Sequence, residues 1–211
     1  RRVLFRSTTL SYDKKDNGGN GFYTNVIYIK GTNRSNSESI LRNGMKVKSS
    51  NKKVISTKTF GKDYYLIADN NQVGIGVKLK KTGSTKITAK FKYRGKTYSV
   101  KTTVKVIKYS NPFKKIVVDG KDYTSDFKNK NGSEISFTGR NIKITPNKNW
   151  RVKSIYTYKP GATKMKKVKG SSVTIPTNCR AFITMENKTN KLIEKVTFDE
   201  MDTTEDPGFI F

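Results

Sequence analysis

The stretch KTGSTKITAKFKYRGKTYSVKTTVKV, residues 81–106, predicts a β-hairpin with one apolar face and one basic face. Apolar and polar residues alternate with a period of two on both sides of Arg94-Gly95, which is the pattern of two half-buried strands. The Gly of that pair supplies the positive φ of a tight turn. The residues predicted to face the core are Ile87, Ala89, Phe91, Tyr93, Tyr98, Val100, Thr102, Val104 and Val106.

The residues before the hairpin extend the same β-strand pattern towards the N-terminus. Alternating or compact apolar runs predict strands at 22–30, 45–49, 64–68 and 73–79, separated by polar loops. Short strands at this spacing are typical of a β-sandwich, so residues 8–110 are predicted to form one all-β domain.

Two segments of this first block resemble a known family. VKSSNKKVIS (residues 47–56) and KTGSTKITA (residues 81–89) are similar to two short structural motifs of the group 2 bacterial Ig-like domains, in the same order. The resemblance covers residues 8–108. Val47 stands where the family often has an aromatic residue, and the loops at 13–21 and 31–39 are long for it. The resemblance implies a sandwich without catalytic residues, usually in arrays on bacterial surface or secreted proteins, often in adhesins or beside carbohydrate-active modules.

A second all-β block follows the dipeptide Asn111-Pro112, because proline interrupts a strand ladder. Alternating runs and turn residues predict a second Ig-like domain over residues 111–198. Its first residues, NPFKKIVVDGKDYT (111–124), are similar to C-terminal modules of Clostridia surface proteins. The predicted fold class is therefore all-β, with two consecutive Ig-like β-sandwiches.

The two ends of the chain differ from these blocks. RRVLFRS (residues 1–7) resembles a translated sequencing-adapter scar, so we expect it to be non-native and exclude it from the fold. DEMDTTEDPGFIF (residues 199–211) is predicted to be an acidic tail, either solvated or folded back onto a basic patch. No apolar run of membrane-spanning length occurs. Together with the family resemblance, this favours an extracellular or cell-surface location in a Gram-positive-type bacterium.

The charge is strongly positive and unevenly distributed. The chain has 44 Lys and Arg against 16 Asp and Glu, a formal net charge of +28. Residues 1–110 carry 25 of the basic and 5 of the acidic residues. Lysine predominates, and lysine is a hydrated point charge less suited than arginine to bidentate readout of bases. The composition therefore indicates an anionic partner in general.

The predicted sandwich would collect part of this charge on one surface. In an Ig-like domain the last two strands share a sheet with the strand that starts near Met45. The lysines predicted to project from its outer face as an anion-binding surface are Lys46, Lys48, Lys86, Lys90, Lys92, Lys101 and Lys105. The alternative is compositional: AT-rich genomes favour lysine codons, and lysine keeps a protein soluble.

Candidate chemical sites are few. The chain has no histidine, so the commonest general base and the commonest metal ligand are missing. Its single cysteine, Cys179, has no histidine to activate it and no second cysteine with which to form a disulfide in the chain. Asp119, Asp122 and Asp126 lack the alternating register of a calcium loop. We expect neither a metal nor a cofactor. Three aromatic residues, Trp150, Tyr156 and Tyr158, could form a glycan-stacking platform. The alternative is that Trp150 is buried, as the only Trp of a small sandwich usually is, and Ile155 breaks the alternation of this strand and indicates a β-bulge.

These observations favour a non-catalytic surface or secreted module that serves in adhesion, in binding anionic cell-wall polymer or host or bacterial glycan, or as a spacer, and that is monomeric as a fragment. Two alternatives remain open. The sequence pI of about 10.1 is compatible with a nucleic-acid-binding protein, although no strand pair shows an aromatic-plus-arginine pattern. The chain could also hold accessory domains of a larger secreted enzyme.

Overall fold

The described part of the chain is built almost entirely of β-strands, arranged in two units. The computed structural model describes residues 3–5, 8–13, 22–29, 45–57, 68–69, 72–129 and 136–200. The chain divides into two compact units, residues 1–108 and 109–211. Within the described ranges, one 3-10 helix over Thr124–Lys128 is the single departure from β-strands among the regular elements. The predicted all-β class is therefore confirmed.

The first unit is a sandwich with Ig-like strand order. One sheet has the order β1-β3-β7-β5, with β6 also pairing with β7, and the other has the order β2-β9-β8-β4. These orders correspond to strands A-B-E-D and to G-F-C of an Ig domain, with β2 running parallel to β9 at the edge. The strands are β1 (Val3–Phe5), β2 (Thr8–Tyr12), β3 (Phe22–Ile29), β4 (Lys46–Ser49), β5 (Ile55–Thr57), β6 (Ala68–Asp69), β7 (Gln72–Leu79), β8 (Gly83–Tyr93) and β9 (Lys96–Lys108).

The hairpin of β8 and β9 forms as its alternation predicts. Arg94 and Gly95 have positive φ values of 49° and 73°. Positive φ at both central residues defines a type I′ turn, whose twist matches that of the two strands it joins. Phe91 stacks on Tyr98 with ring centroids 5.5 Å apart. The buried face packs against residues of the opposite sheet, including Ile55 and Val77, in one hydrophobic cluster. Burial of this face is the main driving force for the first unit.

The two family-like segments meet in the structure. The Thr85 hydroxyl lies 2.9 Å from the Ser49 hydroxyl and accepts a 3.0 Å hydrogen bond from the backbone N–H of Asn51. The Ser50 hydroxyl accepts a hydrogen bond from the backbone N–H of Lys86 at 2.9 Å. Asn51 in turn accepts from Lys53 N–H through its side chain. The Ser-Ser-Asn motif therefore connects the end of β4 to β8, a structural rather than a catalytic role.

Replacing Thr85 by Val should test this connection. Thr85 is buried, and the substitution keeps its shape while removing the hydroxyl that serves Ser49 and Asn51. Leaving buried polar groups unpaired costs about 1–3 kcal/mol, so we expect the first unit to lose stability by that amount. Amide hydrogen exchange of β8 should accelerate accordingly. Unchanged exchange at Asn51 and Lys86 would show that the hydroxyl network does not hold the motif.

The second unit is also a sandwich of two sheets. Their orders are β11-β10-β13-β16 and β12-β18-β17-β14-β15, with β12 parallel to β18. The succession β18-β17-β14 again matches G-F-C of an Ig domain. The strands are β10 (Phe113–Val118), β11 (Lys121–Asp122), β12 (Ser136–Thr138), β13 (Asn141–Pro146), β14 (Trp150–Tyr158), β15 (Lys166–Val168), β16 (Ser172–Thr174), β17 (Arg180–Asn187) and β18 (Ile193–Asp199).

The 3-10 helix of the second unit carries a core residue. Phe127 is fully buried and packs edge-on against Phe113 at 4.6 Å and stacks on Phe137 at 5.2 Å. Phe137 stacks in turn on Phe198 at 5.3 Å. Residues 123–132 are mostly polar in sequence. A 3-10 helix of five residues is too short to show a repeating pattern of apolar residues, so the sequence does not reveal it.

Three predicted boundaries differ from the structure. The units divide before Tyr109 rather than after residue 110, because the Tyr109 ring is buried and its hydroxyl donates to the Phe127 carbonyl at 2.9 Å. Val3–Phe5, excluded as part of a scar, pairs with β3, since an apolar triplet can extend a sheet whatever its origin. Asp199, assigned to the tail, ends β18 and forms an ion pair with Arg180 at 2.7 Å.

Some predictions concern residues outside the described ranges. These are the loop residues 14–21 and 31–39, positions 64–67 of a predicted strand, and tail residues 201–211. They stay predictions.

Candidate anion-binding face

The seven predicted lysines lie on one sheet of the first unit. We call them the basic face; they come from β4, β8 and β9, which are adjacent in the order β9-β8-β4. All of them are exposed, and they alternate with the buried residues of the same strands. The members are Lys46, Lys48, Lys86, Lys90, Lys92, Lys101 and Lys105.

The strand register separates these charges more than alternation alone suggests. In the hairpin, Lys86 lies opposite Thr103, Lys90 opposite Ser99, and Lys101 opposite Thr88. Lys92 and Lys105 likewise face Thr97 and Ser84. Only Lys46 and Lys90 form a directly opposed pair of like charges among the seven lysines. Each pair of like charges directly opposite each other destabilises a sheet slightly.

The basic face has no negative charge to neutralise it within its own strands. β4, β8 and β9 contain no Asp or Glu, and residues 70–118 as a whole contain none. Lysine head groups on a surface of one sign attract counterions and polyanions, with a reach of about 10 Å at 0.1 M salt. Within β4, β8 and β9 the face is thus a cationic surface of one sign with hydroxyl groups between the charges.

The proposed aromatic platform is not assembled. Trp150 is only 4% exposed and faces the core. A β-bulge between Val152 and Ser154 then shifts the phase of β14, so that Ile155 faces the core further along. Tyr156 and Tyr158 consequently lie on the outer face of that sheet, opposite to Trp150. The three residues do not share a surface, and this corrects the sequence-based grouping.

The acidic residues of the second unit have structural partners. Asp119 accepts hydrogen bonds from the backbone N–H groups of Arg140 and Asn141, both at 2.8 Å, and these bonds hold its pKa below the ordinary value. A hydrogen bond from Thr124 lowers the pKa of Asp122, and one from Arg151 lowers the pKa of Glu186. These carboxylates fix turns and strand surfaces and are not paired for acid–base chemistry.

Acid should therefore weaken the second unit through Asp119. A carboxylate whose pKa is lowered by folding stabilises the native state. For Asp119 this stabilisation is complete at pH values above the ordinary carboxyl pKa of 3.8, and it is lost as the pH falls through the lowered pKa of the folded state. Asp119→Asn should flatten this loss, because an amide does not titrate and tolerates the observed φ of 48°. Its single oxygen can replace only one of the two carboxylate acceptors, so the variant should also be less stable than wild type at pH 6. Urea unfolding from pH 6 to 2, followed by the fluorescence of Trp150, measures it. Asp126→Asn, at an exposed position, is the control, and parallel acid limbs for wild type and Asp119→Asn would contradict the assignment.

One cleft was not foreseen from the sequence. It has a volume of about 390 Å³ and lies in the second unit beside the edge strands β15 and β16. Its lining includes Lys143, Lys166, Thr157 and Thr174. It depends on two sheet edges that are distant in sequence, so no local pattern could have indicated it.

Among the described residues, His, Cys, Asp and Glu do not gather in any group of three or more able to hold a metal ion. The same residues include no helix with the length and apolarity needed to cross a membrane. Cys179 is buried.

Several solved structures show a low-scoring similarity to the chain. A titin fragment is 12% identical, with 95% of this chain and 97% of that chain covered and a TM-score of 0.26. Fibronectin(III)-like modules of Clostridium thermocellum CbhA are 9% identical, with coverages of 94% and 93% and a TM-score of 0.27. The N-terminal four Ig domains of Dscam1 are 9% identical, with coverages of 93% and 50% and a TM-score of 0.23. No family model and no curated protein matches the chain. The fold assignment rests on the strand order described above.

Proposed function

We propose that the chain is a non-catalytic module of a bacterial surface or secreted protein, of the group 2 Ig-like kind, and that its basic face binds an anionic cell-wall polymer or an anionic glycan. The observation that supports this most directly is the basic face itself. Seven exposed lysines on three neighbouring strands, with no acidic residue in those strands, form a surface suited to a polyanion.

The chemistry of the face favours a polymer over a small anion. Its lysines are spread over three strands and along the length of the β8–β9 hairpin. Individual exposed lysine–anion pairs contribute only about 0.2–1 kcal/mol each, so useful affinity requires several at once. A chain carrying repeated negative groups can engage several lysines together, and its attraction to the face decreases as salt shortens the screening length.

A sedimentation assay tests the proposal. The chain is mixed with purified Gram-positive cell walls, or with chondroitin sulfate immobilised on beads, at low salt. We expect retention on both and release as the salt concentration is raised. Walls from which the anionic polymer has been stripped by acid, and beads carrying neutral dextran, are the matched controls and should retain little.

The outcomes are distinct. No retention on wall or sulfated glycan at low salt would overturn the anion-binding proposal. Equal retention on stripped and intact walls would show that the bound component is not the anionic polymer.

A further inference from the structure

The lysines of the basic face form two diagonal rows across the sheet. Lys105 pairs with Ser84, so Lys86 is its diagonal neighbour, and Lys48 is the diagonal neighbour of Lys86. A second row begins at Lys101, which pairs with Thr88, and continues to Lys90. Diagonal neighbours in a sheet lie about 7–8 Å apart. Strands are about 4.8 Å apart, and residues on the same face are about 6.8 Å apart along a strand. Since Lys86 and Lys90 are two such steps apart on β8, the perpendicular distance between the two diagonal rows is about 8 Å.

A row of hydroxyl groups lies between the lysine rows. Thr103 pairs with Lys86, and its diagonal neighbour is Thr88, which itself lies between Lys48 and Lys101. The next position along this diagonal is Lys46 on β4. Thr103 is exposed and Thr88 is half-buried. The surface therefore has a polar floor with cationic walls, which we call the lysine–threonine track.

We infer that the track holds a single chain of an acidic polysaccharide, running diagonally across β9, β8 and β4. This rests on the proposed function and specifies its ligand. The acidic groups of the chain would contact the lysines of the two rows. Its sugar hydroxyls would lie over Thr103 and Thr88, whose hydroxyl groups can both donate and accept hydrogen bonds.

The hydroxyl groups of the track distinguish this ligand from duplex DNA. Each strand of duplex DNA carries one negative charge per about 3.4 Å of axis and has no free hydroxyl group between successive phosphates. Between the rows the track offers neutral hydroxyl groups, which complement uncharged polar groups between the acidic ones. An acidic polysaccharide has this alternation of charge and hydroxyl along one chain.

Two charge-matched double variants test the track. Lys86→Gln with Lys101→Gln removes one lysine from each row, whereas Lys96→Gln with Lys108→Gln removes two exposed lysines of β9 that are not part of the basic face. Affinity for a chondroitin sulfate octasaccharide is measured calorimetrically at low salt. We expect the first variant to lose about tenfold and the second less than about twofold.

A third variant tests the hydroxyl floor. Thr88→Val with Thr103→Val leaves charge and strand propensity nearly unchanged, so a loss of affinity would report the hydroxyl groups alone. We expect a measurable loss with the octasaccharide and none with a DNA duplex.

The results separate the track from the proposed function. If wild type binds the octasaccharide but the two lysine variants weaken it equally, the track is wrong and general anion binding stands. If wild type binds neither octasaccharide nor cell wall, both fail. If the row variant loses as much affinity for a DNA duplex as for the octasaccharide, and the control variant loses little for either, the occupant is nucleic acid and the polysaccharide inference is wrong.

Discussion

Phe127→Ala should destabilise the second unit by about 3–5 kcal/mol, the cost typical of removing a buried phenylalanine. Phe127 is fully buried and contacts both Phe113 and Phe137, so its removal opens a cavity between the 3-10 helix and the sheets. Domains of this size have a total stability of about 5–15 kcal/mol, so the loss is a large fraction of it.

Urea unfolding followed by tryptophan fluorescence measures this effect. Trp150 is the only tryptophan and is buried in the second unit, so its signal reports that unit alone. Lys128→Ala, at the exposed neighbouring position, is the control and should change the midpoint little. A midpoint for Phe127→Ala equal to that of wild type would show that the 3-10 helix does not belong to the core.

Replacing all seven lysines of the basic face by Gln should weaken binding to chondroitin sulfate at low salt by about 100-fold or more, since several exposed ion pairs are lost together. We expect no loss of folding stability, because the substitution also removes the opposed pair Lys46 and Lys90. Equilibrium binding and thermal unfolding of the same sample check the two statements.

The matched control removes seven exposed lysines from the second unit. These are Lys114, Lys128, Lys148, Lys159, Lys164, Lys167 and Lys169. Both variants have the same net charge, so general attraction by a basic protein predicts equal losses. A loss confined to the basic-face variant identifies the surface, and equal losses would mean that composition alone determines binding.

The hairpin could be predicted from the sequence because its information is local. Alternation over residues 81–106 gave the buried face, and Arg94-Gly95 gave the turn. The two-residue turn also fixes the register, so the opposition of Lys86 and Thr103 follows from counting outward from it. The position of Lys46 opposite Lys90 did not follow, because β4 and β8 meet only through long-range packing.

The aromatic grouping failed for a different reason. A strand of strict period two would place Trp150, Tyr156 and Tyr158 together, and the bulge after Val152 breaks that period. Ile155 departs from the alternation and indicates a bulge, but alternation does not say where along the strand the extra residue lies, so the faces on either side of it could not be matched from the sequence. The partners of Asp119 were equally hidden, since Arg140 and Asn141 reach it through the pairing of β10 with β13.

The salt dependence of binding tests the central claim, that the basic face is the surface on which an anionic polymer binds. In counterion release, each neutralised phosphate of a nucleic acid contributes about 0.7–0.9 to the slope of log affinity against log salt, and each charge of a less densely charged polymer contributes less. We predict a steep slope for wild type and for the second-unit control variant, and a slope reduced by several charges for the basic-face variant. Equal slopes for the two variants would contradict the claim.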